Sequence, residues 1–475
     1  MTKEENAMFG REKELQQLEK LYNSNKFEFL VLYGRKRIGK TTLLTEFANR
    51  HNCLYFLAQE KNMTLNIKEF SSLIKKYFNM DYIPSCNDYS ELIALLNDRI
   101  DIKLNDNPNE KICIIIDEFP FIAKEYPAIK SILQHTIDHK WLNKNIMLVL
   151  CGSSVSFMVN EVLGYSSPLY GRRTANMELK PLNYLEAAKF FPNFSNIDKI
   201  TSYLILGGIP YYLQTFTDKF SIKENISEFI FNDVCLLREE PILLLKQEFR
   251  EPTIYNSIIE AIATGSSKFN EISSKIKEDT SKCASYMKNL QEVRIIDKII
   301  PYGENYNSKR SIYVLSDFFF RFWYKYVFSN ASTLSLVGAK RYTDLIYNDI
   351  STILGGAFEE VCTQYMKMLA YKNELPFIPK GLGKWWGNNP SKKKQDDIDI
   401  LGIEGNKGIF CECKFKNELF DLKEFNDLIE ASEIFNDINE KYYYIFVKSG
   451  YTKAVIEESK KYNVKLLTID DLFKI

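Results

Sequence analysis

The sequence lacks the marks of a secreted, zinc-binding or membrane-spanning protein. Its nine cysteines show no paired zinc-ligand spacing, and the nearest two, Cys411 and Cys413, would point to one face of a strand. We therefore expect reduced thiols and a cytoplasmic protein. The first ten residues are polar and charged, which is not the pattern of a signal peptide. The longest apolar runs, Ile112–Ile116 and Ile146–Cys151, have the length of strands and are far shorter than the roughly 20 residues of a membrane span.

An excess of charge of either sign is also missing. The 62 basic residues balance 62 acidic residues, so the net charge gives no indication of binding to nucleic acid. Any basic surface must therefore be local. Repeats and low-complexity tracts are absent from the sequence as well. What remains is a chain of 475 residues with 45% hydrophobic residues, the composition of a globular protein of about two to four domains.

Residues 1–250 alternate short apolar strands with helical stretches. This pattern predicts a parallel sheet that is covered by helices on both faces. The predicted strands are Phe27–Tyr33, Cys53–Leu57, Ile112–Ile116 and Ile146–Cys151, and a helix is predicted at Thr41–Arg50. Two later helices, predicted at Leu182–Phe190 and Thr201–Phe216, are assigned to a small helical lid.

Residues 253–315 have a different pattern, with three short helices followed by two strands. The helices are predicted at Thr253–Ala263, Phe269–Ile276 and Thr280–Val293, and the strands at Ile295–Ile300 and Ser311–Leu315. Three helices and a two-stranded wing describe a winged helix-turn-helix. The residues expected to be exposed on its third helix and at the wing tip are Ser281, Lys282, Ser285, Lys288, Asn289, Lys309 and Arg310. Such a module binds DNA or serves as a packing and protein-contact module, and both alternatives stay open here.

A P-loop follows the first predicted strand. Gly34-Arg35-Lys36-Arg37-Ile38-Gly39-Lys40-Thr41 matches G-x-x-x-x-G-K-[ST] in full and opens a helix. Backbone N–H groups of such a loop surround phosphate oxygens, and the helix N-terminus adds partial positive charge. We expect Lys40 to reach the β- and γ-phosphates and Thr41 to place its hydroxyl on Mg²⁺.

The strand Ile112–Ile116 ends in Asp117-Glu118, the pattern of a Walker B strand. Asp117 is predicted to hold Mg²⁺, directly or through water. Glu118 is predicted to orient or deprotonate the attacking water. Together with the P-loop, these residues predict a site that binds ATP with Mg²⁺ and hydrolyses it.

A second acidic group lies near the carboxyl terminus. Asp399 stands in a predicted strand, Glu412 and Lys414 stand in the next, and the turn-rich stretch 404–408 lies between them. Residues two apart in a strand share a face, so a hairpin would bring Asp399, Glu412 and Lys414 together. Two carboxylates of this kind can hold Mg²⁺ near a phosphodiester, with Lys414 orienting the water or stabilising charge.

With these motifs in place, the chain resembles the archaeal-type ATPases of the P-loop AAA/STAND assemblage, whose ATPase is followed by a winged helix and a nuclease-like domain. The resemblance covers nearly the whole chain. It is carried by Gly34–Thr42, Ile115–Pro120, Cys151–Ser156, Ser167–Arg173, Leu179–Leu182, Gly207–Pro210, Asp317–Trp323, Gly383–Trp386, Asp397–Ile400 and Glu412–Lys414.

The resemblance implies further roles in the ATPase. Thr42 belongs to its phosphate loop. Ser153 or Ser154 stands at the position of a polar sensor near the γ-phosphate, where a Ser-rich turn is the alternative. Arg172 and Arg173 lie in a segment similar to one that carries an arginine finger; a surface arginine pair bound to acidic neighbours is the alternative. A finger that acts on a neighbouring copy requires a homo-oligomer.

The carboxyl-terminal pattern resembles the PD-(D/E)xK nuclease core, with Asp399 followed by Glu412-x-Lys414. That family also uses an acidic residue on a preceding helix, and Glu359 is the better match here. Trp385 and Trp386 could stack on bases or pack in the interior.

The expected architecture is therefore a multidomain α/β protein. It comprises a P-loop AAA-type core (1–180), a helical lid (181–250), a winged helix-turn-helix (251–316), a helical connector (317–350) and an α/β restriction-endonuclease-like domain (351–475). The leading hypothesis is an ATP-driven machine that binds DNA and cuts or grips it. The alternatives are an ATP-controlled signalling switch with an inert nuclease-like domain, and a DNA-binding ATPase that never cuts.

Overall fold

The computed structural model of the protein describes residues 10–389 and 394–474. The chain forms two compact units, which comprise Met1–Pro181 and Leu182–Ile475. None of the helices within the described residues combines the length and the apolar character needed to cross a bilayer.

The first unit is built on a parallel sheet, as the alternating pattern predicts. Among its described residues five strands pair in the order β2-β3-β4-β1-β5, every neighbouring pair being parallel. They are β1 (Glu28–Tyr33), β2 (Cys53–Leu57), β3 (Ile112–Asp117), β4 (Ile146–Gly152) and β5 (Ala175–Glu178). Strands β3 and β4 are buried at every residue, which explains their continuous apolar sequence. Strand β5 has the polar sequence ANME, and the apolar pattern did not predict it.

Helices cover this sheet. They are α1 (Glu12–Tyr22), α2 (Lys40–Arg50), α3 (Met63–Tyr77), α4 (Tyr89–Asp106), α5 (Phe119–Glu125), α6 (Ile129–Thr136) and α7 (Val155–Phe157). The side chains of Asn62 and Asp88 accept N–H bonds at the starts of α3 and α4, which fixes where these helices begin. Apolar residues of α3 and α4, including Phe70 and Leu96, pack with strand residues such as Ile114 in one core.

The second unit begins with the helices α8 (Tyr184–Ala188), α9 (Asn196–Leu206), α10 (Pro210–Leu213), α11 (Ile222–Ile226) and α12 (Glu240–Glu248). The single helix predicted at Thr201–Phe216 is wrong. The chain breaks at Gly207 and Gly208, because Gly207 has a φ of 68° and Pro210 starts a new helix.

The three helices and hairpin predicted for residues 253–315 are present. They are α13 (Pro252–Ala263), α14 (Phe269–Ile276), α15 (Thr280–Glu292), β6 (Ile296–Ile299) and β7 (Ile312–Leu315). The two strands pair antiparallel. The assignment of these elements to a winged helix stays a prediction. Four further helices follow, α16 (Phe318–Trp323), α17 (Ala331–Val337), α18 (Ala339–Ile346) and α19 (Ile350–Tyr371).

A mixed sheet occupies the carboxyl-terminal part of this unit. Its strands are β8 (Gly383–Asn389), β9 (Lys394–Glu404), β10 (Lys407–Lys414), β11 (Glu440–Val447) and β12 (Val464–Thr468). They pair in the order β12-β11-β10-β9-β8, antiparallel at β8–β9 and β9–β10 and parallel at the other two junctions. Helices α20 (Leu422–Ser432) and α21 (Lys453–Ser459) lie between the later strands in sequence.

The loop between β6 and β7 is hydrogen-bonded to this sheet. The backbone N–H of Tyr302 donates to the carbonyl oxygen of Lys384 at 2.8 Å. The Tyr302 hydroxyl accepts from the N–H of Ile403 at 3.0 Å. The hairpin and strands β8 and β9 are thus joined through one residue.

Candidate functional site

The predicted phosphate loop lies between the end of β1 and the start of α2. Gly39 precedes α2 with a φ of 94°, a conformation that favours glycine. A Cβ at Gly34 would stand 2.6 Å from the carbonyl oxygen of Leu179, so only glycine fits there. The ammonium of Lys40 is buried and donates to the carbonyl oxygens of Gly34, at 2.8 Å, and Arg35, at 3.1 Å. Lys40 therefore points back into the loop, where phosphate oxygens are expected.

The remaining predicted loop residues have different environments. Ile38 is fully buried and anchors the loop in the core, while Arg35 is mostly buried. Arg37 takes a left-handed conformation, with a φ of 70°. Lys36 and Thr42 are only partly exposed. Their contact with phosphate stays a prediction.

Arg11, which was not predicted as a site residue, is hydrogen-bonded to the backbone of the phosphate loop. Its guanidinium donates to the carbonyl oxygens of Ile38, at 3.0 Å, and Lys180, at 2.8 Å, and its side chain is 4% exposed. No local motif identifies this role, since the partners lie 27 and 169 residues away in the chain.

The end of β3 carries the predicted metal-binding carboxylate. Asp117 is fully buried, and its Oδ2 accepts hydrogen bonds from the hydroxyls of Thr41 and Tyr55, both at 2.8 Å. Its Oδ1 accepts the N–H of Glu118 at 2.9 Å. Burial and the Asp117 carboxylate hold the pKa of Tyr55 well above its ordinary value, so the tyrosine stays a donor. The oxygens of Thr41 and Asp117 lie side by side, and this hard-oxygen pair fits Mg²⁺.

Glu118 lies next to the predicted sensor. Its φ of 54° is left-handed, which is uncommon for a residue other than glycine and clusters at functional sites. Its Oε2 accepts a hydrogen bond from the hydroxyl of Ser153 at 2.8 Å and a longer one from the Ser153 N–H at 3.3 Å. The structure thus brings Glu118, at the end of β3, together with Ser153, at the end of β4. Of the two candidate serines, it is thus Ser153 that is hydrogen-bonded to Glu118.

The two arginines of the predicted finger segment differ in their contacts. Arg172 makes a two-pronged ion pair with Asp138, with its Nη2 2.7 Å from Oδ2, and also donates to the carbonyl oxygens of Pro168 and Tyr170. Hydrogen bonding to Arg172 lowers the pKa of Asp138 below its ordinary value. Arg173 donates to the carbonyl oxygen of Leu163 at 3.3 Å. The alternative of an arginine bound to an acidic neighbour thus describes Arg172 in this structure.

The predicted carboxylates of the second unit converge. Pairing of β9 with β10 places Asp399 beside Glu412, and the Asp399 Oδ2 accepts the N–H of Cys413 at 2.9 Å. Lys414 forms an ion pair with Glu412. Helix α19 adds Glu359 to the same cluster. The four residues of the predicted nuclease set are therefore neighbours in space.

Lys384 joins this cluster, although it was not among the predicted site residues. Its Nζ lies 2.7 Å from Glu359 Oε2, 3.2 Å from Asp399 Oδ1 and 3.7 Å from Asp397 Oδ2. Lys384 lies in β8, a strand that the sequence analysis did not predict and that pairs antiparallel with β9. We refer to Glu359, Lys384, Asp397, Asp399, Glu412 and Lys414 as the carboxylate–lysine cluster.

Burial and like charges dominate the electrostatics of this cluster. Burial, followed by the Asp399 carboxylate, raises the pKa of Glu412 to about 8 and that of Glu359 to about 7. Burial opposes the charge of Lys384, but the Asp399 and Glu359 carboxylates outweigh it and hold the pKa of Lys384 above its ordinary value. Lys414 is held charged in the same way by Glu412.

Lysine side chains occupy the space between the carboxylates where the sequence suggested a divalent cation. Within the described residues, no group of three or more His, Cys, Asp or Glu side chains is placed to hold a metal ion. Lys384 lies between Glu359 and Asp399, and Lys414 lies on Glu412. The metal-binding role of Asp399 and Glu412 stays a prediction.

Other predicted contact residues are partly engaged within the protein. Asn289 is not free on α15, because its amide donates to the Tyr255 hydroxyl at 2.7 Å. Arg310 pairs with Glu304 at 2.6 Å. Trp385 packs edge-on against Phe435, with ring centroids 5.1 Å apart. Of the residues predicted to be exposed on α15, Ser281, Lys282, Ser285 and Lys288 are exposed.

Comparison with known proteins gives two family matches. Residues 8–216 match the model of an ATPase domain predominantly from Archaea. Residues 323–428 match the model of Archaea bacterial proteins of unknown function.

Individual proteins match as well. The uncharacterized protein MJECL04 of Methanocaldococcus jannaschii is 34% identical over 454 residues, covering 93% of this chain and 96% of its own length. A shorter stretch of 38 residues is 49% identical to the uncharacterized ATP-binding protein MJ0423 of the same organism, covering 8% of this chain and 64% of that protein. The solved Walker-type ATPase PABY2304 of Pyrococcus abyssi superposes with a TM-score of 0.50 at 19% identity, over 67% of this chain and 96% of its own.

Proposed function

The chain belongs to the family of archaeal-type ATPases in which an ATPase domain is followed by a domain of unknown function, and from this premise we propose that it hydrolyses ATP with Mg²⁺ to control a DNA-directed second unit. One observation carries the first part of the proposal. The P-loop lysine, the Thr41–Asp117 pair and the Glu118–Ser153 pair lie at the ends of three neighbouring strands.

In this proposal each residue has one task. Lys40 leaves the loop carbonyls and binds the β- and γ-phosphates, while loop N–H groups surround them. Thr41 and Asp117 would hold Mg²⁺, which neutralises charge on the phosphate oxygens when bound. Glu118 accepts the proton of the attacking water, and Ser153 orients its carboxylate.

ATP turnover by two variants tests this assignment. Lys40→Ala should abolish nucleotide binding, whereas Glu118→Gln should keep binding and lose at least about 100-fold in kcat, because only the acceptor of the proton is removed. Arg50→Ala is a matched control, since Arg50 lies on the same helix and pairs with Glu46 near the surface. Turnover that survives Lys40→Ala would refute the phosphate site.

The proposed DNA contact is supported by the exposed face of α15. Lys282 and Lys288 are exposed there, beside the exposed Ser281 and Ser285. Each phosphate contact should add about one to the slope of log affinity against log salt concentration. Lys282→Ala and Lys288→Ala should each lower this slope by about one, whereas Lys372→Ala, at an exposed position after α19, should not. A slope that neither variant changes would argue for the packing role.

DNA cleavage is a second candidate, favoured by the convergence of Glu359, Asp399, Glu412 and Lys414. Incubation of DNA with the wild type and with Lys414→Ala, in Mg²⁺ and in Mn²⁺, separates the alternatives. Cleavage that Lys414→Ala loses would support a nuclease. Tight binding with every DNA intact would support the ATP-controlled switch with an inert domain.

An arginine finger is proposed for Arg173, whose side chain is not committed to a carboxylate in the contacts described above. Action on the ATP of a neighbouring copy would need a homo-oligomer in the cytoplasm. Sedimentation with and without ATP and Mg²⁺ tests this part, and a monomer under both conditions would exclude a finger acting between copies.

A further inference from the structure

The carboxylate–lysine cluster contains an ammonium group at its centre. One nitrogen atom, the Nζ of Lys384, lies within 4 Å of three carboxylates, those of Glu359, Asp397 and Asp399. The shortest of these distances, 2.7 Å to Glu359, is that of a charge-assisted hydrogen bond.

Burying the Lys384 ammonium costs free energy unless nearby carboxylates compensate its charge. The Lys384 side chain is 25% exposed and that of Asp399 only 7%, so neither charge is fully hydrated. A partly buried cation is retained when several opposite charges surround it, and removing it leaves the anions unpaired. Four carboxyl groups face two ammonium groups here, and burial raises the pKa of two of them, Glu359 and Glu412, which reduces the negative charge that the two lysines must balance.

The lysine is placed by the sheet and not by a loose loop. Strand β8 pairs with β9 at Gly383–Leu401 and, after an irregularity at Lys384, at Trp385–Ile398 and Trp386–Asp397, and the Lys384 carbonyl accepts the N–H of Tyr302. The neighbouring Trp385 packs into the core against Phe435. The side chain is therefore directed into the cluster by elements on both sides.

From this geometry we infer that Lys384 is the resident counter-ion of the carboxylate–lysine cluster, in the place where the nuclease resemblance implies a divalent cation. Cation ligands must approach a metal to about 2.0–2.6 Å, so a divalent ion and the Lys384 ammonium exclude each other between Glu359 and Asp399. The cluster is complete without metal while Lys384 is in place. A metal enters only when the ammonium leaves. This inference goes beyond the proposed ATP hydrolysis and does not depend on it.

Thermal unfolding of the nucleotide-free full chain tests the inference. Lys384→Met keeps the length of the side chain and removes its charge. In EDTA this variant should unfold about 5–10 °C below the wild type, because unpaired buried carboxylates repel one another. Mn²⁺ at millimolar concentration should restore most of the loss in Lys384→Met and leave the wild type unchanged.

Two further variants serve as controls. Lys416→Met removes a lysine that contacts the single carboxylate Glu424 at 2.7 Å, so it should lose little stability and gain nothing from Mn²⁺. Lys384→Met combined with Asp399→Asn should lose the rescue by Mn²⁺. If Lys384→Met does not fold in EDTA, recovery of folded protein upon refolding with Mn²⁺ is the equivalent measurement.

Two results would overturn the inference. The first is stabilisation of the wild type by Mn²⁺ to the same extent as Lys384→Met, which would make the cluster a metal site with Lys384 beside it. The second is a Lys384→Met variant as stable as the wild type in EDTA. Neither readout depends on ATP turnover or DNA cleavage, so failure of the proposed function would be visible separately.

Discussion

At the residue scale, the buried carboxylate of Asp117 is stabilised by hydrogen-bond donors. It receives hydroxyl donors from Thr41 and Tyr55 and a backbone donor from Glu118, so its oxygens are satisfied before any ligand arrives. Of these donors only Tyr55 lies outside the recognised motifs. Its place follows from the pairing of β2 with β3, where Tyr55 stands opposite Ile115 and thus on the same face as Asp117.

Tyr55→Phe should lower the free energy of unfolding of the first unit by about 1.5 kcal/mol, since a hydrogen bond to a charged group is lost while the ring remains. Urea titration measures the difference. Tyr77→Phe is the matched control, because its hydroxyl reaches only a carbonyl oxygen at 3.4 Å. Equal effects of the two variants would contradict the assigned role of Tyr55.

Arg172 and Arg173 are adjacent but should differ in what they contribute. Arg172→Ala should cost about 1 kcal/mol of stability, a value discounted for the partial exposure of its pair with Asp138. The folded-state pKa of Asp138 is depressed, so this contribution is present at neutral pH and is lost as the pH falls through that pKa. The stability gap between wild type and Arg172→Ala, measured by urea unfolding, should therefore shrink below about pH 4.

Arg173→Ala should instead leave stability unchanged and lower kcat by about a thousandfold, as expected for loss of an arginine finger. Steady-state ATP turnover measured beside the unfolding curves separates the two roles. A large loss of turnover in Arg172→Ala with normal turnover in Arg173→Ala would reverse the assignment.

At the element scale, Gly208, in the break between α9 and α10, comes very close to the backbone of Leu182. A Cβ at Gly208 would lie 2.0 Å from the carbonyl oxygen of Leu182, a backbone atom that a rotamer change cannot move. Gly208→Ala should thus destabilise the second unit by about 3 kcal/mol, measured by denaturant unfolding. Gly355→Ala is the control, since a Cβ there meets no atom within 4 Å and alanine favours the interior of α19. A Gly208→Ala variant as stable as Gly355→Ala would show that the chain relaxes at this point.

The same scale shows what the sequence could predict. Strands β3 and β4 are buried throughout and were recognised from their apolar runs. Strand β5 has a polar sequence, and β8 contains Gly383, Gly387 and two asparagines, so neither carries the period-two pattern of a half-buried strand. Both exist because a neighbouring strand supplies their hydrogen bonds, which is a long-range property.

The residues of the candidate sites also fall into those that the sequence could predict and those that it could not. The P-loop, Asp117 and Glu118 belong to contiguous motifs, and the contacts of Lys40 and Thr41 follow from them. Arg11 and Lys384 belong to no such motif. Their partners, Lys180 for Arg11 and Asp399 for Lys384, are set by tertiary pairing, so spacing along the chain gave no signal.

At the scale of the whole molecule, nucleotide binding should be visible as stability. A ligand that binds only the folded state at 100 times its Kd adds about 2.7 kcal/mol to the free energy of unfolding. ATP with Mg²⁺ should therefore raise the unfolding midpoint of the wild type, followed by calorimetry of the full chain. Lys40→Ala should show no such rise, and a rise that persists in this variant would place the nucleotide elsewhere.

The balance of 62 basic and 62 acidic residues also affects how the whole molecule would be attracted to nucleic acid. With no net charge, long-range attraction to a polyanion is weak, and the proposed binding to DNA would have to come from local arrays such as the exposed lysines of α15. The parts that meet a nucleic acid are thus expected to be few and separable by single substitutions.

The hydrogen bond between Tyr302 and Lys384 has one more consequence. Through this 2.8 Å hydrogen bond, the loop between β6 and β7 is attached to the main chain of the lysine that forms ion pairs with Glu359 and Asp399. A displacement of this loop is therefore expected to move the main chain of Lys384, and with it the distances from its ammonium to Glu359 and Asp399.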